Sequence, residues 1–531
     1  MKQVFYFLCI AILVSSCAKR GYITGGQKDT IPPQLKLSEP KNFSTQFKGK
    51  EIKLHFDEFI KLKDVNKQLI ISPPMKNQLE ILPSNATKTI TIRIKDTLFA
   101  NTTYSFNFGQ SIQDNNEGNP SPQFKYIFST GDYVDSLQLN GRIKDAYFPK
   151  TDNFVTVMLY EKNETFYDSI VYKEVPRYIT NTLDSSTTFK LDHLKAGKYM
   201  LIALKDFNNN NKFDPKKEKI GFYKETITIP NDTVYELELF KEILPFKPLK
   251  PTQQASNRVI LGYEGKQNNT KITLFNGNEI IPTVVTPFPK KDSLQIWFKP
   301  LKEVDSLRLN VKHDQLEKDF TFKYRNQKAD TLKINASQGS VLHFRETLKL
   351  NSSVPLIHID ESKLKLTRKD SSTVPFSVRY LDNEQQVELD FTKEPEEKYK
   401  LMLDKGAFTD VLERTTDSLQ FQVSTKSLTE YGNLKLQLQG IKAYPVIVEL
   451  TDEKGETLAS GYATNNQPIE FNLLLPRMYT VRIIYDTNQN KIWDTGSYLD
   501  KRQSEEVRYF PTPIDVRSNW DVDQTLQFSG G

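Results

Sequence analysis

The sequence predicts an all-β chain of tandem β-sandwich domains, and three observations carry that reading. Segments such as Glu51-Ile52-Lys53-Leu54-His55-Phe56, Thr89-Ile90-Thr91-Ile92-Arg93-Ile94 and Ser293-Leu294-Gln295-Ile296-Trp297-Phe298 alternate apolar and polar residues. That period of two is the mark of a strand with one buried face. Clusters of Asn, Asp, Gly and Pro separate these segments about every 8–15 residues, the turn spacing of sandwiches. Finally, 531 residues exceed one hydrophobic core, so about three to five domains are expected.

Composition supports packed domains: 37% of residues are hydrophobic, with 33 Phe and 24 Tyr. The net charge of +6 is spread over the chain without a dense basic block. Nucleic acid is therefore not expected as a partner, and the excess reads as solubility.

Residues 1–17 read MKQVFYFLCIAILVSSC. Lys2 gives a positive start, Val4 to Val14 form an apolar run of about 11 residues, and Val14-Ser15-Ser16-Cys17 closes it. The run is shorter than the ~20 residues a spanning helix needs. Small residues before a cysteine, directly after such a run, resemble the signal peptide of bacterial lipoproteins. The resemblance implies removal of residues 1–16 and lipidation of Cys17, with palmitate-type acyl chains in the outer membrane of the cell envelope. With Cys9 removed, Cys17 is the one cysteine left, so no disulfide framework is available. Residues 17–30, with Gly21, Gly25 and Gly26, read as a tether.

Self-comparison divides the rest. The first unit, 31–132, and the fourth, 335–426, share three marks. These are His55-Phe56-Asp57-Glu58-Phe59-Ile60-Lys61-Leu62 against His343-Phe344-Arg345-Glu346-Thr347-Leu348-Lys349-Leu350, a loop-plus-tyrosine element (Tyr104; Tyr399), and a final strand ending in Ser-Thr (Ser129-Thr130; Ser424-Thr425). With Pro32-Pro33 and the loop Asp114-Asn115-Asn116-Glu117-Gly118-Asn119, the first unit resembles the bacterial Ig-like domains of S-layer and other surface proteins. The fourth has Asp410-Val411-Leu412-Glu413 in place of that loop.

The second unit, 136–244, and the fifth, 428–531, form another pair. Phe189-Lys190-Leu191, Gly197-Lys198-Tyr199 and an Asp/Asn loop from Asp206 match Phe471-Asn472-Leu473, Arg477-Met478-Tyr479 and a loop from Asp486. The pattern resembles transthyretin-like or carboxypeptidase-regulatory-like sandwiches, which implies spacer modules. The Pro-rich segment 245–255 reads as an extended linker. Residues 256–334 read as a third, partial Ig-like unit. The expected layout is an anchor followed by rigid sandwiches in series. Such a lipoprotein is of Bacteroidetes type, with which the Asn- and Lys-rich composition agrees.

The best candidate site is the repeated Asp-x-Asn-x-Asn-x-x-x-Asp loop. Asp206, Asn208, Asn210 and Asp214, with the Lys212 carbonyl, match Asp486, Asn488, Asn490 and Asp494, with the Ile492 carbonyl. Oxygen ligands at these spacings resemble the first nine positions of a calcium loop. Position six lacks glycine (Asn211; Lys491) and position twelve lacks glutamate (Lys217; Ser497), leaving Glu218 or Asp500 as substitutes along another path. The same residues also build an Asx-rich turn that bonds its own backbone. Either way the role is structural: no cofactor is required, and structural calcium is one of the two readings. His55 and His343 sit at matching positions without a nucleophile or acid beside them, and adjacent Asp57 and Glu58 are expected on opposite faces of a strand.

The function these features favour is a non-catalytic scaffold, adhesion or assembly role, held to the membrane by lipid, with an envelope protein or glycan as partner. A carbohydrate- or nutrient-binding lipoprotein would instead expose an aromatic platform at Trp297, Trp493 or Trp520. A β-sandwich enzyme would bring carboxylates together in a pocket.

Overall fold

The computed structural model describes residues 29–182 and 187–528. The signal segment, Cys17 and the tether up to Lys28 lie outside the described residues. The rest is all-β, as five two-sheet sandwiches.

In the first unit one sheet runs Leu35–Glu39, Glu51–Leu62, Thr87–Arg93, Glu80–Leu82, with Ile112–Asp114 also on Glu51–Leu62. It faces a sheet of Ile70–Ser72, Thr103–Asn107 and Lys125–Ser129. Alternation places Ile52, Leu54 and Phe56 inside while Glu51 and Lys53 stay in solvent. These residues meet Ile90, Ile92, Phe106 and Phe128 in one core. The fourth unit repeats the arrangement with Ile334–Ala336, Leu348–Ser352, Gln386–Asp390 and Ser377–Leu381 facing Leu364–Thr367, Lys398–Leu403 and Leu419–Ser424.

The shared tyrosine and threonine form a common lock. The Tyr104 hydroxyl accepts the Phe99 N–H at 2.8 Å, and Tyr399 accepts that of Glu394 at 2.7 Å. Thr130 and Thr425 donate to the carbonyls of the same two residues, at 2.7 and 2.5 Å. The His-Phe octapeptides, in contrast, are not equivalent. His55 lies in the strand Glu51–Leu62, opposite Thr89, whereas His343 precedes the strand Leu348–Ser352. Topologically, Glu51–Leu62 corresponds to Leu348–Ser352 plus Leu356–Ile359. Pro355, which has no N–H to give a ladder, sits in the break.

The second and fifth units also share one topology. Tyr178–Asn181, Thr156–Glu161, Gly197–Leu204 and Ile220–Phe222 match Thr457–Ala463, Val446–Thr451, Arg477–Tyr485 and Val507–Tyr509. Each smaller sheet includes a parallel pair, Leu137–Asp145 with Val234–Leu239 and Gly432–Gln439 with Asp521–Gln527. Tyr199 and Tyr479 each donate to the carbonyl four residues earlier, at 3.0 and 2.8 Å. The third unit is a two-sheet sandwich of its own. Its first strands, Lys247–Pro248 and Thr252–Ala255, come from the Pro-rich segment and pair with Arg258–Glu264.

The units do not simply follow one another in series. The second and fifth, far apart in sequence, are packed together. Tyr498 of the fifth unit is fully buried among Met158, Tyr160, Ile202 and Phe222 on the outer face of the second unit's larger sheet. In return, Tyr147 of the second unit covers the outer face of the fifth unit's larger sheet, where Arg482 lies. Polar joints complete a closed circuit: Lys216–Glu264 between units two and three, Gln295–Gln385 between three and four, and His343–Tyr431 between four and five. The first unit is attached to the second through Lys125–Asp192 and Arg177–Thr102. Periodicity reports a strand's own inner face. It does not report that an outer face is covered by a loop hundreds of residues away.

Candidate functional site

Both Asp/Asn loops start where a central strand, Gly197–Leu204 or Arg477–Tyr485, leaves its sheet. Asp206 accepts the N–H of Asn208 at 3.2 Å and of Asn211 at 2.7 Å. Asp486 accepts those of Asn490 at 3.1 Å and Lys491 at 3.0 Å, and the Tyr462 hydroxyl at 2.8 Å. Asn208 and Asn488 accept the N–H of Asn210 and Asn490, and the oxygens of Asn210 and Asn490 accept the N–H of Lys212 and Ile492. The side-chain oxygens therefore climb their own backbone as a ladder of Asx turns. In the second loop the amides of Asn488 and Asn490 both donate to Asp494, at 2.6 and 2.7 Å. Asn209, Asn211, Gln489 and Lys491 adopt positive φ, so the two loops share one path. As arranged, the donor set is spent on N–H groups, which fits the turn and not a cation cage. Among the described residues, no three His, Cys, Asp or Glu side chains converge as a metal site.

The closing carboxylate does exist in both loops. Glu218 is fully buried and accepts the N–H of Phe207 and Asp214, at 3.1 and 2.8 Å. Burial, with Asp206 and Asp214 nearby, raises its pKa above the ordinary carboxylate value. Glu505 does the same work on Thr487 and Asp494, at 2.7 and 3.1 Å. Asp500 does not take this place: it accepts from the Ser497 hydroxyl.

Each loop also supplies a ring to the clasp between units two and five. Phe213 packs on Tyr172 at 5.4 Å, and Trp493 packs on Tyr147 at 4.7 Å. Between Asp494 and Glu505 the chain crosses to the second unit. There Thr495 donates to the Lys241 carbonyl, the Tyr498 N–H to Glu242, and Gln503 to the Phe222 carbonyl. Lys501 pairs with Asp168 at 2.8 Å. Gly496 is required by contact, since a Cβ there would sit 2.5 Å from the Phe240 ring. Arg482, with no exposed surface, bonds Glu449 at 2.6 Å, donates to the Tyr147 and Tyr509 hydroxyls at 2.9 and 2.8 Å, and lies 4.0 Å over the Tyr147 ring. Glu218, Glu505, Arg482, Tyr498 and Tyr147 were missed from sequence. The one available signal was the lone arginine in the apolar strand Tyr479 to Tyr485.

The other candidates separate. Trp297 is 1% exposed and belongs to the core. Trp493 is in the clasp, and Trp520 is exposed with Arg517 over it at 5.1 Å. His55 bonds Thr89 across strands, and His343 joins units four and five through Tyr431. Asp57 and Glu58 depart from strict opposition because the strand is irregular between His55 and Ile60. Glu58 is raised in pKa by burial first, then by Asp114, Asp57, Asp29 and Glu117. A cleft of about 610 Å³ opens where units one and two meet. Its acids are engaged: Asp96 accepts the N–H of Lys76 and Asn77, Glu161 lies 3.5 Å from Arg177, and Glu174 accepts from the Tyr167 hydroxyl.

Comparison with known proteins agrees with this architecture for two units. Residues 29–130 match the model of a bacterial Ig-like domain, and residues 147–237 match a family described as an uncharacterised protein conserved in bacteria (DUF2141). No curated protein matches. Among solved structures, domains 1–6 of the surface layer protein SbsC share 11% identity over 86% of this chain and 64% of that one, at a TM-score of 0.14. Titin domains A168–A170 share 11% identity over 52% of this chain and 98% of theirs, at 0.15. The chain thus spans less than two thirds of the surface-layer chain it matches.

Proposed function

We propose that the chain is a membrane-anchored lipoprotein of the cell envelope, held in the outer membrane through Cys17, with a non-catalytic scaffold or assembly role. The observation that carries the scaffold reading is the closed circuit of sandwiches, locked by the Arg482 and Tyr498 clasp. Its buried polar groups are spent on holding domains to each other. The acids of the cleft between units one and two and of the Asp/Asn loops bond backbone or neighbouring side chains, which supports a role without catalysis. Carbohydrate binding on an aromatic platform is disfavoured by the burial of Trp297 and the engagement of Trp493. The expected partner is an envelope protein or a glycan, and no cofactor is required. Membrane fractionation of wild type and Cys17→Ala, with palmitate labelling, tests the anchor. Wild type should be labelled and sediment with membranes, and the variant should be unlabelled and released. Retention of the variant on membranes would overturn the reading.

A further inference from the structure

The first unit is open on one side. The edge strand Glu80–Leu82 pairs only with Thr87–Arg93, so among the described residues no strand takes its other edge. Beside it is a groove of about 710 Å³, within the ~300–1,000 Å³ typical of ligand clefts. Its floor is aliphatic: Leu62, Leu69, Ile71, Met75, Leu79 and Ile81, half-buried core residues that look outward. The rim is mostly carboxamide, with Asn66 and Gln78 from the first unit and Asn208 and Asn209 from the second.

The fourth unit, with the same topology, shows what closes this side of the fold. There the segment after Leu364–Thr367 turns back along it. Thr373 bridges Thr367, the Val374 N–H donates to the Leu366 carbonyl at 2.9 Å, and Val374 is 2% exposed in the core. In the first unit the strand Ile70–Ser72 runs directly into Pro73 and Pro74. Neither has an N–H to donate, so the return pairing is not made. The N–H groups of Lys76 and Asn77 are instead drawn off to Asp96.

We infer that this groove is a docking site for an extended, uncharged peptide segment of a partner protein, with aliphatic side chains at alternate positions. The main chain of that segment bonds the free edge of Glu80–Leu82, and its side chains fill the floor that Val374 fills in the fourth unit. The rim carboxamides both donate and accept, matching peptide N–H and C=O groups. A glycan is the poorer fit, because no aromatic ring lines the groove for stacking against a sugar face. A lipid acyl chain matches the floor, but the lining offers a headgroup only one cation, Lys76.

The test uses the full chain labelled with methyl-¹³C methionine. Met75 reports from the groove, and the exposed Met402 and Met478 serve as internal controls. The probes are the acetylated, amidated peptide of this chain's own Thr373 to Val378, maltohexaose, and phosphatidylglycerol vesicles. The peptide should shift the Met75 methyl saturably and leave Met402 and Met478 unmoved. Leu79→Lys, with its control methyl signals and melting temperature unchanged, should weaken the effect by at least about tenfold. Ile81→Lys provides a second blocking variant if Leu79→Lys does not fold. No Met75 response to the peptide at millimolar concentration overturns the inference, as does a response confined to maltohexaose or to vesicles. The readout is independent of Cys17, so it stands apart from the anchoring test.

Discussion

Replacing Tyr498 by alanine should open the clasp while leaving the individual sandwiches folded. The ring has no exposed surface and packs on Phe222 at 5.4 Å and Tyr172 at 6.4 Å, both in the second unit. A buried aromatic removes about 150–250 Å² from water, worth about 4–6 kcal/mol at ~25 cal/mol per Å². Large-to-small replacements of such rings cost about 3–5 kcal/mol. That loss falls on an equilibrium between docked and undocked units of one chain, so docking should weaken by roughly a hundredfold or more. Calorimetry should show units two and five melting together in wild type and separately in Tyr498→Ala, and small-angle scattering should show a larger radius of gyration. Tyr498→Phe provides the contrast. The hydroxyl is buried without a hydrogen-bond partner, so its removal should be neutral or stabilising by about 1 kcal/mol. Unchanged melting and scattering in the alanine variant, or equal damage from phenylalanine, would refute the reasoning.

Arg482→Leu should cost about 3–5 kcal/mol in urea denaturation because Glu449 is left buried without its partner, and adding Glu449→Leu should recover most of it. Asp192 is pushed up by burial, but Lys125 and Lys190 outweigh that and hold its pKa below the ordinary value. Its stabilising contribution is therefore present above the ordinary carboxylate range and lost as pH falls through the depressed value. Between about pH 5 and about pH 3, thermal melts should show wild type losing more stability than Asp192→Asn. Calcium should leave the melting temperature unchanged, and Asp206→Ala should lower it equally with and without the ion, since Asp206 holds two backbone N–H groups. A calcium-induced rise that Asp206→Ala and Asp486→Ala abolish would reverse the turn assignment.

The fold class was legible because alternation such as Ile52, Leu54, Phe56 maps directly onto one buried face. Tyr104 with Thr130, and Tyr399 with Thr425, were legible as repeats because each pair closes the same local lock. The octapeptides at His55 and His343 misled, since similar residue order survived a change of register around Pro355. Arg482 carried a weak signal, a charge in an apolar strand, but its partners Tyr147 and Tyr509 come from elsewhere in the chain. No local pattern identifies them. The opposition expected of Asp57 and Glu58 assumed a regular ladder, which the irregularity before Ile60 removes.

The asymmetry between the two Asp/Asn loops explains the clasp. Glu218 follows Asp214 by four positions, whereas Glu505 follows Asp494 by eleven, yet both glutamates bond the same two loop N–H groups. The fifth unit has therefore kept the closing carboxylate and inserted a longer excursion before it. That excursion carries Gly496, Tyr498, Lys501 and Gln503, the residues that reach the second unit. The loop whose glutamate looked absent in sequence is thus the loop that crosses to another domain. Its turn ladder, from Asp486 to Asp494, gives the excursion a rigid base. Shortening Thr495–Ser504 to the second unit's spacing should leave the Glu505 bonds to Thr487 and Asp494 intact while abolishing docking. Scattering would read the opened circuit and amide exchange the intact turn. Loss of the turn together with the docking would mean that the excursion and the loop are one structure, and the scheme of a conserved turn with an inserted clasp would fall.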